Sequence, residues 1–203
     1  MNIDKLFSCQ GRLDNRIVVK KGLQGVDLLD KKILALLTEL GELANEWQMF
    51  KFWKNDPEPN IYEETECHVC DGESVFYLGG EREVCGYCEG EGIREIRNPL
   101  LVEYVDCLHF ILSIGNDVGE QPTMDEYEEY LHFEESKEGT IIDRFIGINF
   151  IVSHLTESAK TLYDVAFFEI LHLGKVLGFT TDQIEQAYFD KNKINHARQE
   201  SGY

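Results

Sequence analysis

Apolar side chains recur every three or four residues over 26–54, at Leu29, Ile33, Leu36, Leu37, Leu40, Leu43 and Trp47. That period predicts one long amphipathic helix with its apolar stripe on a core. Asn55-Asp56-Pro57-Glu58-Pro59-Asn60 ends it, because proline has no amide hydrogen to give and disfavours helix in the residue before it. A second run, LLVEYVDCLHFILSIGNDVG, follows Asn98-Pro99, with Pro99 suited to a first helical turn and Gly115 to Gly119 near the end. Residues 120–139 read as acidic and turn-rich. Residues 140–177 carry a third periodic run and room for a fourth, with a break expected near Gly147 or Ser158. Thr180-Thr181-Asp182 reads as the N-cap of a last helix from Gln183 to about Arg198.

Between the first two helices the pattern changes. Residues 61–97 are rich in Gly, Glu and Cys, and their short apolar stretch Val75-Phe76-Tyr77-Leu78 predicts a small β-hairpin element. The expectation is therefore an all-α chain, an antiparallel helical bundle from 1–60 and 98–203, interrupted by an insertion over 61–97.

Cysteine spacing gives that insertion a chemistry. Cys67 and Cys70, then Cys85 and Cys88, form two Cys-x-x-Cys turns fourteen residues apart. Two such knuckles can converge on one tetrahedral zinc ion, and four thiolates leave it no open position for a substrate, so the role expected is structural. Gly72, Gly86, Gly90 and Gly92 supply backbone freedom for the turns. The alternatives are unliganded thiols or two disulfides, and His68 reads as a neighbour of the ion. Cys9 and Cys107 read as small buried side chains.

Charge narrows the partners. With 38 acidic and 19 basic side chains the formal charge is -19, which repels nucleic-acid backbones and anionic membranes. A small anionic substrate survives that test if clustered carboxylates hold divalent cations, which invert the local field. No apolar run reaches the ~18 residues of a membrane span, and the segment MNIDKLFSCQGRLDNR lacks the basic-then-apolar order of a signal peptide, so a cytoplasmic location is expected.

The acidic residues themselves are patterned. Glu39, Glu42 and Glu46 stand three and four apart on the first helix, and Glu103 and Asp106 three apart on the second. Such spacings put the carboxylates of each set on one helical face, where they repel each other unless a cation intervenes. Two acidic faces meeting would make a hard-oxygen cage suited to Mg²⁺. For any single pair a solvated helix face is the better explanation, and it is the occurrence of two pairs on two helices that favours the cage; His109, one turn beyond Asp106, is as well suited to packing as to a site. Lys191, Asn195 and Arg198 follow one side of the last helix, and Tyr203 comes five residues later. Lys and Arg suit phosphate oxygens, and Asn a hydroxyl or base edge.

The segments LLTELGELANEWQMFKFWK, LLVEYVDCLHF and KNKINHARQESGY together resemble the all-α dimeric dUTPases, within the broader helical nucleoside triphosphate pyrophosphatases of MazG-like type. The resemblance covers roughly residues 1–56 and 98–203. It implies hydrolysis of dUTP to dUMP and pyrophosphate by a metal-activated water, with two or three Mg²⁺ ions held by Glu39, Glu42, Glu103 and Asp106. Glu46 is a further ligand candidate, and Glu42 the candidate to assist deprotonation of the attacking water. It also implies phosphate contacts from Lys191, Arg198 and Tyr203, and recognition of sugar or uracil by Asn195. LFSCQGRLD resembles the family's nucleotide-recognition helix, which makes Gln10 a base-binding candidate, with Trp53 or Phe52 stacking on the base. A homodimer follows from the same resemblance, and dUDP is left open as a second substrate. Two rivals remain at this point: a related pyrophosphatase for dCTP or other nucleotides, and a zinc-stapled acidic module that docks a basic protein.

Overall fold

The computed structural model describes residues 1–78, 81–134 and 139–201. The chain divides into two compact units, a helical one (Met1–Asn45 with Leu101–Tyr203) and a smaller one (Glu46–Leu100). Helices α1 (Ile3–Lys21), α2 (Leu29–Trp47), α3 (Pro99–Val118), α4 (Met124–Glu134), α5 (Ile141–Ser153), α6 (Leu155–Val176) and α7 (Thr181–Ser201) make it an α-helical protein with a minor β part.

Caps explain most of the boundaries. The side chain of Asn2 accepts from the Lys5 amide at the start of α1, and Gly22, at φ 67°, closes its end. Thr180 caps α7, its hydroxyl accepting from the Gln183 amide at 3.2 Å while the Gln183 side chain accepts from the Thr180 amide at 2.9 Å. Helix α2 stops at Trp47, seven residues before the expected limit at 54, because Gln48 turns into the left-handed region at φ 60°. The stretch over 120–139 is not merely a turn: Thr123 and Glu126 form a capping box and start α4. The break in the long third run falls at neither Gly147 nor Ser158. It falls at His154, whose ring Nδ1 lies 2.7 Å from the Phe150 carbonyl at the end of α5.

In the helical unit α1 packs on α7, α5 on α6, and α4 against α6. Leu6, Phe7, Leu36, Leu40, Leu108, Leu112, Ile148 and Phe167 fill the core. Two fully buried tyrosines tie α3 to α6: Tyr104 donates to the Ile170 carbonyl at 3.3 Å and Tyr163 to the Ile111 carbonyl at 2.9 Å. A Cβ added at Gly174 would collide with the ring of Tyr104, and one at Gly115 with the hydroxyl of Tyr163, so each ring rests on a bare stretch of backbone. Among the described residues, no helix is long and apolar enough to cross a membrane.

The smaller unit holds two antiparallel ladders, β1 (Glu63–Glu66) with β4 (Ile93–Arg97), and the hairpin of β2 (Val75–Leu78) with β3 (Glu81–Val84). The sequence foretells the hairpin but not the flanking ladder. Its core is Cys67, Cys70, Cys85 and Cys88, with Phe76 packed against them.

Candidate active site

Helix α2 has to bury Leu36, Leu40 and Leu43, and α3 has to bury Tyr104, Val105, Leu108 and Ile111. Burying those stripes turns the acidic faces beside them toward each other. Carboxylate oxygens of Glu39, Glu103 and Asp106 all lie within 4.8 Å of one another. Burial first, and then the charges of Asp106, Glu42 and Glu103, push the Glu39 carboxyl up to about 7. Burial also pushes Asp106 up, against the pull of Lys191, whose Nζ stands 2.5 Å from its Oδ2. Three crowded, half-buried carboxyls, of which Glu39 and Asp106 resist losing their protons, are an oxygen-donor set short of positive charge, which fits a hard divalent cation. Glu42 stands outside this group, exposed to solvent, yet near enough for its charge to act on Glu39 and Asp106.

A cleft of about 320 Å³ opens beside these acids. Glu39 and Asp106 line it together with Lys191, Asn195 and Arg198 of α7 and Gln10 of α1. The structure thus gathers most of the sequence-derived set at one place. Glu46 belongs to the smaller unit, where its carboxylate accepts from the Asn60 amide at 2.7 Å. Trp53 and Phe52 belong there too, exposed and packed edge-on with ring centroids 5.1 Å apart. Tyr203 lies outside the described residues.

Sequence reading missed most of the floor of the cleft. Asp14, Lys32, Phe110 and Ser113 also line it, as does His109, which the sequence left between packing and a site. The Ser113 hydroxyl donates to Asp14 Oδ2 at 2.7 Å, and the Gln10 amide nitrogen to Asp14 Oδ1 at 2.8 Å. Lys32 Nζ lies 3.9 Å from Asp14 and 2.6 Å from Asp117. Burial pushes the Asp14 carboxyl up, with Lys32 opposing it. The ring of His109 is buried and stacked on Tyr188 at 4.3 Å, and burial pushes its pKa down to about 3, which keeps it neutral. A signal existed: Asp106, His109 or Phe110, and Ser113 continue the stripe that Glu103 begins, and Asp14 lies one turn past Gln10.

A family model described as dUTPase matches residues 2–72 and 93–203. The chain belongs to the dUTPase family. In that family's terms the reaction class is dUTP pyrophosphate hydrolysis, and the cleft with its acidic triad lies in matched sequence. Residues 73–92, which carry Cys85 and Cys88, fall outside the match. No curated protein matches the chain.

The four cysteines form a second constellation. Their Sγ atoms lie within 4.8 Å of one another, with Cys67 to Cys85 at 3.9 Å and Cys70 to Cys88 at 3.7 Å. A disulfide needs about 2.05 Å. A tetrahedral ion about 2.3 Å from each sulfur sets the sulfur-to-sulfur edges near 3.8 Å, so the cluster has the size of a zinc site. The knuckles repeat each other: Glu73 donates to the Cys70 carbonyl and Glu91 to that of Cys88, each at 2.9 Å. Gly92 sits at φ 76° with the Gly72 carbonyl where a Cβ would go, and its amide donates to Cys88 Sγ at 3.3 Å. Gly86, expected to need a special backbone angle, does not adopt one. His68 is exposed and edge-on to Tyr87, outside the sulfur cluster.

Proposed function

We propose that this chain hydrolyses dUTP to dUMP and pyrophosphate with Mg²⁺ at the α1–α2–α3–α7 cleft, and holds one structural Zn²⁺ on Cys67, Cys70, Cys85 and Cys88. The observation that carries the reading is the meeting, in a member of the dUTPase family, of three carboxylates from two helices with Lys191 and Arg198 from a third. Glu39, Glu103 and Asp106 would hold the magnesium ions, with Glu42 completing the set. Bound there, Mg²⁺ would offset the charge of the triphosphate and lower the pKa of a water, so that its deprotonated form could attack the α-phosphorus.

The chain's own groups do the rest. Glu42, solvent-facing on the rim, takes the proton of the attacking water. Lys191, oriented by Asp106, and Arg198 bind the departing phosphates through charge-assisted hydrogen bonds. Asn195 binds the sugar, and Gln10 reads the base from the cleft floor. The zinc site braces the smaller unit and takes no part in the chemistry.

Pyrophosphate release from dUTP, dCTP, dTTP and UTP with Mg²⁺ tests this directly. Selective release from dUTP is expected, falling by about 10²–10⁴ in Glu42→Gln and strongly in Lys191→Ala. No release from any nucleotide by folded, zinc-loaded protein would sink the reading; release favouring dCTP would keep the chemistry and overturn the base.

A further inference from the structure

Gln10 is 4 % exposed and its amide is fully committed on one side. His109 Nδ1 stands 2.7 Å from Gln10 Oε1, and the Tyr188 hydroxyl 3.0 Å from the same oxygen, with the Leu6 carbonyl a second acceptor for that hydroxyl at 3.2 Å. On the other side the amide nitrogen donates to Asp14 Oδ1 at 2.8 Å. Asp14 accepts from the Ser113 hydroxyl through its other oxygen and has Lys32 Nζ 3.9 Å away, so it is the acceptor here: the nitrogen faces Asp14, and the oxygen faces His109 and Tyr188. His109 Nδ1–H occupies one lone pair of that oxygen, and the single Tyr188 hydroxyl hydrogen is shared between it and the Leu6 carbonyl, so the oxygen is held on the side of these two rings. What remains of the amide is one N–H.

We propose that Tyr188, His109 and Asp14 lock the Gln10 amide so that it offers the cleft a donor and no acceptor, selecting a base that carries a carbonyl there over one that carries an amino group. This rests on the dUTP reading of the same cleft. Uracil and cytosine differ at one ring position in this sense: the first has an accepting oxygen, the second a donating amino group. A donor facing a donor leaves two polar groups unpaired in a buried place, a larger penalty than the loss of one good hydrogen bond. Tyr188 is fully buried and stacks on His109, so it acts through Gln10 and is a positioning residue.

The ratio of kcat/KM for dUTP to that for dCTP reads the lock. In Tyr188→Phe combined with Asp14→Asn, one donor to the oxygen is gone and the partner of the nitrogen can itself donate, so the amide can turn over. The ratio is expected to fall by about tenfold, through a higher KM for dUTP and a lower one for dCTP. Gln10→Glu replaces the N–H with oxygen and is expected to lower the ratio as well, which keeps the test decisive if the double variant melts early. Tyr104→Phe removes a buried tyrosine hydroxyl remote from Gln10 and should leave the ratio unchanged. An unchanged ratio in folded Gln10→Glu or in the double variant overturns the lock while the dUTP reaction stands. A native protein that turns over dCTP as well as dUTP overturns it too, and one inactive on every nucleotide removes the dUTP reading on which it rests.

Discussion

Glu39 joins the electrostatics of the site to the stability of the chain. Its carboxyl is raised from 4.5 to about 7, by burial first and then by the neighbouring carboxylates. The folded state therefore holds this proton more tightly than the unfolded chain does. The corresponding stability is complete below about pH 4.5 and is lost as pH rises toward 7 and beyond. In metal-free protein the melting temperature should drop between pH 5 and pH 8, and Glu39→Gln should flatten that drop. The side chain is only half-buried, so solvent screening holds the effect to about 1 kcal/mol. Mg²⁺ at pH 8 should raise the melting temperature of the native chain more than that of Glu39→Gln. Thermal melts in chelator and in Mg²⁺ decide it, and matching pH profiles for the two proteins would refute the account. The spacing of Glu39, Glu42, Glu103 and Asp106 was legible in the sequence. That Glu39, Glu103 and Asp106 crowd together, with Glu42 at the rim, depends on how far each residue sits below the surface, which spacing does not contain.

Among the elements, the smaller unit is the one whose stability depends on a single cluster. Its strands are four or five residues long, β1 and β3 are mostly exposed, and the buried cluster beside them is the four cysteines with Phe76 packed against it. So little apolar area cannot offset the ordering of a chain segment this long, and the zinc ion proposed for the four cysteines would supply the difference. Metal analysis should find about one zinc per chain. Cys85→Ser or treatment with a chelator should strip the zinc and abolish amide protection over residues 63–78 and 81–97, while the buried helices α3 and α6 keep theirs; hydrogen exchange reads both. Protection unchanged after zinc loss would show that the strands hold themselves. Element types were largely legible, because the periods of 3.6 and 2 and the paired Cys-x-x-Cys turns are local. Thr123 with Glu126 was an equally local signal for α4, hidden by the acidic composition around it. The hinge at His154 was not local in that sense, since Gly147 and Ser158 are the weaker helix formers and the helix runs through both.

At the scale of the whole molecule, α5 carries an exposed apolar stripe. Ile142, Ile146 and Phe150 repeat every four residues along it and are 42 %, 65 % and 65 % exposed. An exposed apolar stripe on a helix whose other face is already buried against α6 calls for a second surface. A homodimer, implied by the family resemblance, is the occupant proposed. Light scattering should give twice 23.4 kDa for the native chain, and Ile146→Asp should shift it toward the monomer, because a charge buried without a partner costs several kcal/mol. A native monomer would remove the proposal.

The sequence alone determined the helical class, the paired cysteines, the acidic spacing and the family, since each is written in residue type and short-range period. It could not decide which polar groups meet. Gln10 and Tyr188 are 178 residues apart, and Asp106 and Lys191 are 85 apart. Their contacts exist because α1, α3 and α7 bury apolar stripes against a common core, and only that packing turns separate helix faces into one cleft.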